Sequence, residues 1–217
     1  MKDWESGKNR LRGSKANFIK FADHLIGSIE KNSSNKISEK SLFLDIGCGD
    51  GQMLNYIINF YNLESANGCD ISDFYINKEE FKKIKFKKIS KSKLQYEDES
   101  FDIVYSFGVL QYVKTKDLPN FLTESYRVLK KGGICLHCNM LDKNKIFKYH
   151  YNPRLGFKEL ISFTFFGGLR AYITNKQWND GSFWHKYKNI TKSFNQENNI
   201  FIKDGFSSER SDIFFKK

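Results

Sequence analysis

The sequence predicts an α/β protein: a doubly wound, mostly parallel sheet of seven strands, with helices on both faces and an aromatic-rich insertion after the fifth strand. Strand-like and helix-like segments alternate over residues 41–138, which is typical of a parallel sheet wrapped by helices. The apolar run at residues 41–46 stops at a cluster of glycines, as expected of a short, buried parallel strand.

Hydrophobic spacing then assigns each element in order. Apolar residues recur at helical spacing over residues 14–31 and predict a first helix, followed by a polar linker at residues 32–40. The further predicted elements are strand 41–46, helix 52–61, strand 66–71, helix 73–82, strand 84–89, strand 101–107, helix 118–129 and strand 134–138. The last of these helices begins near Pro119, and the glycines of Lys130–Gly133 end it and turn the chain into the fifth strand.

The C-terminal part differs from this repeating pattern. About 60 residues separate the fifth strand from the next strand-like run, which is too long for one crossover helix. Residues Asn199–Lys203 predict a strand, Asp204-Gly205 favours a turn, and Asp212–Phe215 predicts the return strand. The sheet is therefore expected to end in a hairpin.

Bulk composition excludes several protein classes. A chain of 217 residues with 40% hydrophobic and 16% aromatic residues is expected to form one folded domain with an embellishment. No apolar run approaches the roughly 18 residues of a membrane-spanning helix. The segment Met1–Lys8 lacks the apolar stretch of a secretory signal, so we expect a soluble, cytoplasmic protein.

The four cysteines lie in or beside apolar runs and are expected to be reduced: Cys48, Cys69, Cys135 and Cys138. Cys135 and Cys138 form a C-x-x-C, but a strand would send them to opposite faces. No second pair of cysteines or histidines completes a metal site, and we predict none.

The net charge of +11 raises the question of nucleic-acid binding. Eight lysines lie between Lys78 and Lys93. A solvated helix end and strand edge is favoured over an RNA-binding face, and nucleic acid stays an alternative partner.

Glycines after the first strand allow the backbone to come close to a ligand lying at the start of the next helix. Gly47, Gly49 and Gly51 occupy such positions. A dinucleotide fingerprint would need glycine where Gln52 stands, and the Gly-Lys-Ser/Thr of a P-loop is absent. The pattern therefore disfavours NAD and nucleoside triphosphates.

Three stretches resemble one known family. Phe43–Gly51 is similar to motif I of the class I S-adenosylmethionine-dependent methyltransferases. Leu94–Val113 resembles the third-to-fourth-strand signature of their type 11, ubiquinone-biosynthesis-like branch, and Leu129–Gly133 looks like its turn before the fifth strand. The resemblance covers roughly residues 38–140. It implies a Rossmann-like fold, S-adenosylmethionine as cofactor and methyl transfer as the reaction.

The resemblance also implies how the cofactor is held. Asp45 would face the methionine amino group, the glycine turn would pack along methionine and ribose, and Asp70 would hold both ribose hydroxyls. Relatives usually have Asp-Ala, contacting adenine, where this chain has Ser90-Lys91, so adenine recognition is expected to rely on backbone groups. The implied cofactor-binding residues are Asp45, Gly47, Cys48, Gly49, Gly51, Asp70, Ile71, Ser90, Lys91 and Phe107. Asp45 as a turn cap and Phe107 as a core residue are the alternatives.

With that core assigned, the chain divides into four parts: residues 1–35, an N-terminal helical cap; 36–140, the S-adenosylmethionine-binding core; 141–198, an aromatic-rich substrate cap; and 199–217, the hairpin that completes the sheet. Residues 147–187 hold 12 aromatics in 41 positions, which favours an enclosed apolar pocket.

The expected acceptor is accordingly a small molecule methylated on oxygen or nitrogen, with a sugar or metabolite of surface-glycan or lipid assembly as one candidate. RNA methylation and a non-catalytic cofactor-binding subunit are the alternatives, and the oligomeric state is open. A hydroxyl acceptor would need a base, and the candidates are His185 and His150. His137, near the carboxyl end of the fifth strand, is a further catalytic candidate that would touch substrate or cofactor. His24, on the first helix, is expected to be structural.

Overall fold

The computed structural model describes residues 15–72, 81–90, 93–146, 161, 173–174, 182–187, 200–207 and 210–217. Its elements, in chain order, are α1 (Lys15–Asn32), β1 (Phe43–Ile46), α2 (Gln52–Tyr61), β2 (Ala66–Asp70), β3 (Ile84–Lys88), β4 (Phe101–Phe107), α3 (Leu118–Val128), β5 (Leu129–Leu141), β6 (Ile200–Asp204) and β7 (Arg210–Lys216). Three short 3-10 turns lie at Leu110–Tyr112, Thr115–Asp117 and Lys143–Lys145.

The strands form one seven-stranded sheet in the order β3-β2-β1-β4-β5-β7-β6. The strands from β3 to β5 are parallel to one another, and β7 runs antiparallel to both β5 and β6. The predicted fold class is confirmed. The chain order reverses between β1 and β4, and ligands of such sheets collect at the carboxyl ends of the strands beside that reversal.

Alternating side chains of the strands build a core on each face of the sheet. On one face, Leu25 of α1 and Ile57 of α2 belong to a buried cluster with Phe43 of β1. On the other face, Leu122 of α3 belongs to a second cluster with Leu44. Helices therefore cover both faces, with α1 and α2 on one side and α3 on the other.

Most predicted boundaries agree with the structure to within one or two residues, but two differ. Residues 73–80 of the predicted third helix lie outside the described residues, and Phe81–Lys83 lead into β3 as a turn. The fifth strand begins at once after α3, at Leu129, and continues to Leu141. The glycines of the predicted turn lie inside this strand, because they accommodate a register shift between Phe101 and Ile103 of the paired β4.

The C-terminal hairpin forms as predicted. β6 and β7 pair from Ile200↔Phe215 to Asp204↔Ser211, and the Gly205 N–H donates to the Arg210 carbonyl at 3.0 Å. Because β7 lies between β5 and β6, the hairpin extends the sheet beyond its parallel part.

All four thiols are buried and unpaired. Cys135 packs in the cluster on the α3 face and Cys138 in the cluster on the α1 face, so the C-x-x-C does point to opposite faces. Within the described part of the chain, no helix is long and apolar enough to cross a membrane.

Candidate functional site

The turn between β1 and α2 is built by glycines in the left-handed region. Gly47, Gly49 and Gly51 have φ angles of 78°, 55° and 78°. The N–H groups of Gly47 and Cys48 both donate to the Cys69 carbonyl, at 2.7 and 3.1 Å. The turn that follows β1 is thereby fastened to the end of the neighbouring strand β2.

The surroundings of these glycines show where a ligand fits. A Cβ atom on Gly47 would lie 2.5 Å from Cγ2 of Val109, so the inner side of the turn is filled. A Cβ atom on Gly49 would meet no atom within 4 Å. The turn therefore presents open space at Gly49, where bare backbone can approach a ligand.

Asp70, the last residue of β2, is held rigidly beside this open space. Its Oδ2 atom accepts a hydrogen bond from the Gly49 N–H at 3.0 Å, and Oδ1 accepts one from the Ser72 N–H at 3.0 Å. Burial raises the pKa of this carboxyl, and the backbone donors of Ser72, Gly49 and Ile71 oppose that rise. The carboxylate keeps acceptor capacity beyond these three N–H groups, which a ligand hydroxyl can use.

A second carboxylate, Asp45 of β1, is only 3% exposed and lies close to the same turn. Burial, and to a smaller extent the charges of the two carboxylates, raises the pKa of the Cys48 and Cys69 thiols well above the usual range. The negative potential that the carboxylates create favours a ligand that carries positive charge.

The other residues predicted to bind the cofactor differ in their exposure and in their position relative to the glycine turn. Cys48 points into the core, where its sulfur would be 2.8 Å from a Cβ on Gly68, so it offers only backbone to a ligand. Ile71 follows Asp70 with its side chain 53% exposed. Ser90 is exposed at the end of β3, where it forms an isolated bridge with Lys93. Lys91 lies outside the described residues.

Phe107 ends β4 and is partly buried against Phe21 of α1, with ring centroids 5.4 Å apart. Gly108 follows with a φ of 70°, and its N–H donates to the Cys138 carbonyl at 2.9 Å. The aromatic ring therefore stands at the carboxyl end of β4, next to the strand that carries the glycine turn.

His137 is fully buried in β5 on the α3 face, and this location contradicts its prediction as a catalytic residue. Its Nδ1 atom is 2.9 Å from the Ser106 hydroxyl, and its ring packs against Phe121 and Phe215. Burial lowers the pKa of His137 to about 3. A ring enclosed in the core cannot reach an acceptor, so His137 is a packing residue.

His185 is also enclosed, with 1% of its surface exposed. Nδ1 lies 3.2 Å from the Thr115 hydroxyl, and the ring packs between Phe183 and Tyr187. Burial lowers the pKa of His185 to about 4, although nearby backbone carbonyls oppose the shift. His185 was expected on an open loop over a pocket, and its burial does not agree with that position. His150 lies outside the described residues.

Sequence reasoning missed a cluster of polar residues at the carboxyl ends of β4 and β5, where the antiparallel strand β7 begins. It consists of His24, Gln111, Asn139, Arg210 and Asp212, which hydrogen bonds join in a continuous series. One signal was available in the sequence, since His24 interrupts the apolar face of the first helix.

Comparison with known proteins identifies the core. A family model described as a methyltransferase domain matches residues 44–137. The predicted S-adenosylmethionine-binding core thus contains a methyltransferase domain. A curated relative, "Probable methyltransferase ltbC" of Aspergillus luteorubrus, is 31% identical over 132 residues, which cover 54% of this chain and 44% of the relative. The chain thus spans less than half the length of that relative.

Solved structures agree with this methyltransferase fold. The PH0226 protein of Pyrococcus horikoshii OT3 has a TM-score of 0.64 at 17% identity, covering 95% of this chain and 93% of that one. An S-adenosylmethionine-dependent methyltransferase from Clostridium acetobutylicum ATCC 824 has a TM-score of 0.62 at 14% identity, covering 92% and 91%. At these identities the likeness concerns the fold.

Alanine substitutions at Gly47 and at Gly49 should have different effects on stability and on cofactor binding. We expect Gly47→Ala to lower the free energy of unfolding by about 2–4 kcal/mol, because a clash with Val109 adds to backbone strain. Gly49→Ala should cost about 1–2 kcal/mol through its positive φ alone, yet weaken S-adenosylmethionine binding at least roughly tenfold. Denaturant unfolding and calorimetry measure the two effects. Equal cofactor affinity in Gly49→Ala and the unaltered protein would contradict a ligand at this space.

The buried His137 should make stability depend on pH. Its pKa is about 3 in the folded protein and about 6.5 when unfolded, so only the unfolded chain takes up a proton between these values. Stability should therefore fall as the pH drops below about 6.5, by up to about 1.4 kcal/mol per pH unit for this group. Denaturant unfolding at pH 7 and pH 5 should show a smaller fall in His137→Gln. An unchanged slope in that variant would rule out this contribution.

Proposed function

We propose that this chain binds S-adenosylmethionine at the glycine turn and transfers its methyl group to oxygen or nitrogen of a small molecule. The observation that carries the proposal is the position of Asp70. The Gly49 and Ser72 N–H groups hold its carboxylate beside the open space at Gly49.

The residues present fit the cofactor group by group. Asp70 has free lone pairs on a rigid carboxylate, which suits the two hydroxyls of a ribose. Asp45 and Asp70 supply the negative potential that suits an ammonium and a sulfonium. Ile71 offers an exposed apolar side chain next to Asp70, and a flat ring can pack on it.

The adenine end departs from the family pattern, since Ser90-Lys91 replaces Asp-Ala. Ser90 lies two strands away from the glycine turn but close to Asp70, because the Ile89 N–H donates to the Asp70 carbonyl at 2.8 Å. We therefore assign adenine recognition to Ile71 and to backbone groups near Ser90.

When bound, S-adenosylmethionine supplies a methyl group on a good, neutral leaving group. The protein then has mainly to position the acceptor in line with that methyl and exclude water. Phe107 and the aromatic-rich segment after β5 support an enclosed, apolar acceptor over a nucleic-acid duplex.

The lysines of β3 keep RNA methylation as a second candidate. Lys82, Lys85 and Lys88 are exposed on or beside this edge strand. Two other lysines of the stretch are already engaged, since Lys87 Nζ donates to the Gln95 carbonyl at 2.6 Å and Lys83 Nζ to the Leu63 carbonyl at 2.9 Å. These bonds favour a solvated strand edge over a surface kept free for phosphate.

Asp70→Ala should weaken S-adenosylmethionine binding by roughly 1.5–3 kcal/mol, about 10- to 150-fold in dissociation constant, because a charged acceptor is lost. Isothermal calorimetry measures this, with the exposed Glu97→Ala as matched control.

Because burial raises the pKa of Asp70, the affinity for S-adenosylmethionine should start to fall at a higher pH than it would for an ordinary aspartate, and Asp70→Asn should lack that fall. Absence of binding to the unaltered protein would refute the proposal.

Generic RNA should bind weakly, and binding should vanish at moderate salt, because exposed lysines attract phosphate without recognising structure. A gel-shift titration at increasing salt measures this. A tight, structure-dependent shift near physiological salt, reduced by Lys85→Ala, would favour the RNA alternative instead.

A further inference from the structure

Hydrogen bonds tie β4, β5, β7 and α1 together at the carboxyl edge of the sheet. Arg210 donates to Gln111 Oε1 at 2.7 Å and to the Asn139 carbonyl at 3.0 Å. The Asn139 N–H donates to Asp212 Oδ1 at 2.8 Å, and Asp212 Oδ2 lies 2.6 Å from His24 Nε2. The series ends on a histidine from the first helix.

The pair of His24 and Asp212 has the arrangement of an oriented base. Asp212 is only 7% exposed, and both of its oxygens are engaged, so the carboxylate is fixed in place. Its contact with Nε2 places the ring proton on that nitrogen and leaves Nδ1 as the basic atom. Nδ1 makes no hydrogen bond within the described part of the chain, and the side chain is 23% exposed.

Asn139 marks the same place independently. It is a non-glycine residue with a φ of 62°, a strained conformation that clusters at functional sites. It stands at the register shift where β5 leaves its regular pairing with β7. This irregularity brings the Asn139 N–H to Asp212, which lies opposite it on β7.

Aromatic rings line the approach to His24. Phe21, one turn earlier on α1, contacts Phe107 at 5.4 Å and Phe206 at 4.8 Å between ring centroids. Phe206 also meets the His24 ring edge-on at 5.8 Å and is itself 39% exposed. A partly exposed histidine thus stands beside a partly exposed aromatic surface that reaches the end of β4.

We propose that the acceptor is a phenol, that its ring packs on Phe21, Phe107 and Phe206, and that His24, oriented by Asp212, takes its hydroxyl proton. This inference rests on the proposed function. The proton moves from the phenol oxygen to Nδ1 of His24. The oxygen then bonds to the methyl carbon as the carbon–sulfur bond breaks, with its electron pair going to sulfur, and the imidazolium later releases the proton to solvent.

The other described histidines do not compete for this role. His137 and His185 are both enclosed, with 0% and 1% of their surfaces exposed. Asp212 is the charged partner that faces His24 from β7, and the Cys138 thiol contacts the same carboxylate. The contact with Asp212 therefore holds the His24 ring in one orientation.

The test uses p-nitrophenol, whose ionised form is coloured, and needs no knowledge of the natural acceptor. Absorbance is titrated against pH with the protein in excess, with and without S-adenosylhomocysteine. We expect the midpoint of ionisation of the bound probe to lie at least about one pH unit below that of the free probe, because the proton passes to His24. His24→Gln should abolish the shift, Asp212→Asn should reduce it, and Asp23→Asn, on the exposed face of the same helix, should leave it unchanged.

The outcomes separate this inference from the proposed function. Thermal unfolding checks that each variant is folded, and His24→Gln keeps a polar group that can bond to Asp212. If S-adenosylmethionine binds but p-nitrophenol does not, or the shift persists in His24→Gln, the base assignment is overturned while the function stands. If S-adenosylmethionine does not bind, the proposed function is refuted, and the titration without cofactor still shows whether His24 lowers the ionisation midpoint of bound p-nitrophenol.

Discussion

The fastening of the glycine turn to the end of β2 is the constraint on which the site depends. The Cys69 carbonyl accepts two N–H groups of the turn, and Asp70, the next residue, accepts a third from Gly49. These bonds fix the distance between the open backbone and the carboxylate. They form only because β1 and β2 are parallel neighbours in register, with Ile46 opposite Cys69, so the sheet itself aligns the two halves of the site.

Local sequence patterns predicted elements whose determinants are local. The bounds predicted for α2 and β4 match the structure because apolar periodicity and flanking turn residues define them. The start of β5 was missed because it depends on distant partners: Leu129 pairs with Phe101, and the Gly132 N–H donates to the Lys217 carbonyl at 2.7 Å. Without knowledge of those partners, the Gly132-Gly133 pair predicts a turn.

The residues of the candidate site likewise divide into those that the sequence predicted and those that depend on contacts between distant parts of the chain. Asp45 and Asp70 were predicted as site residues because the sequence around the glycine turn and the end of the second strand resembles one known family, and both lie at or near the carboxyl ends of parallel strands. The error on His137 came from position along β5 alone, since strand alternation places it on the same face as Cys135, in the core under α3. The contact of His24 with Asp212 joins residues 188 positions apart, and no local pattern predicts it.

The two carboxylates also protect the chemistry proposed for this site. Cys48 and Cys69 lie beside the glycine turn, and a thiolate there would compete with the acceptor for an electrophilic methyl group. Burial, together with the charges of Asp45 and Asp70, raises the pKa of both thiols and keeps them protonated and unreactive. Cys48 in addition points its sulfur toward Gly68, away from the open side of the turn. Burial, reinforced by the negative potential that suits a cationic methyl donor, therefore keeps the nearest thiols in their unreactive, protonated form.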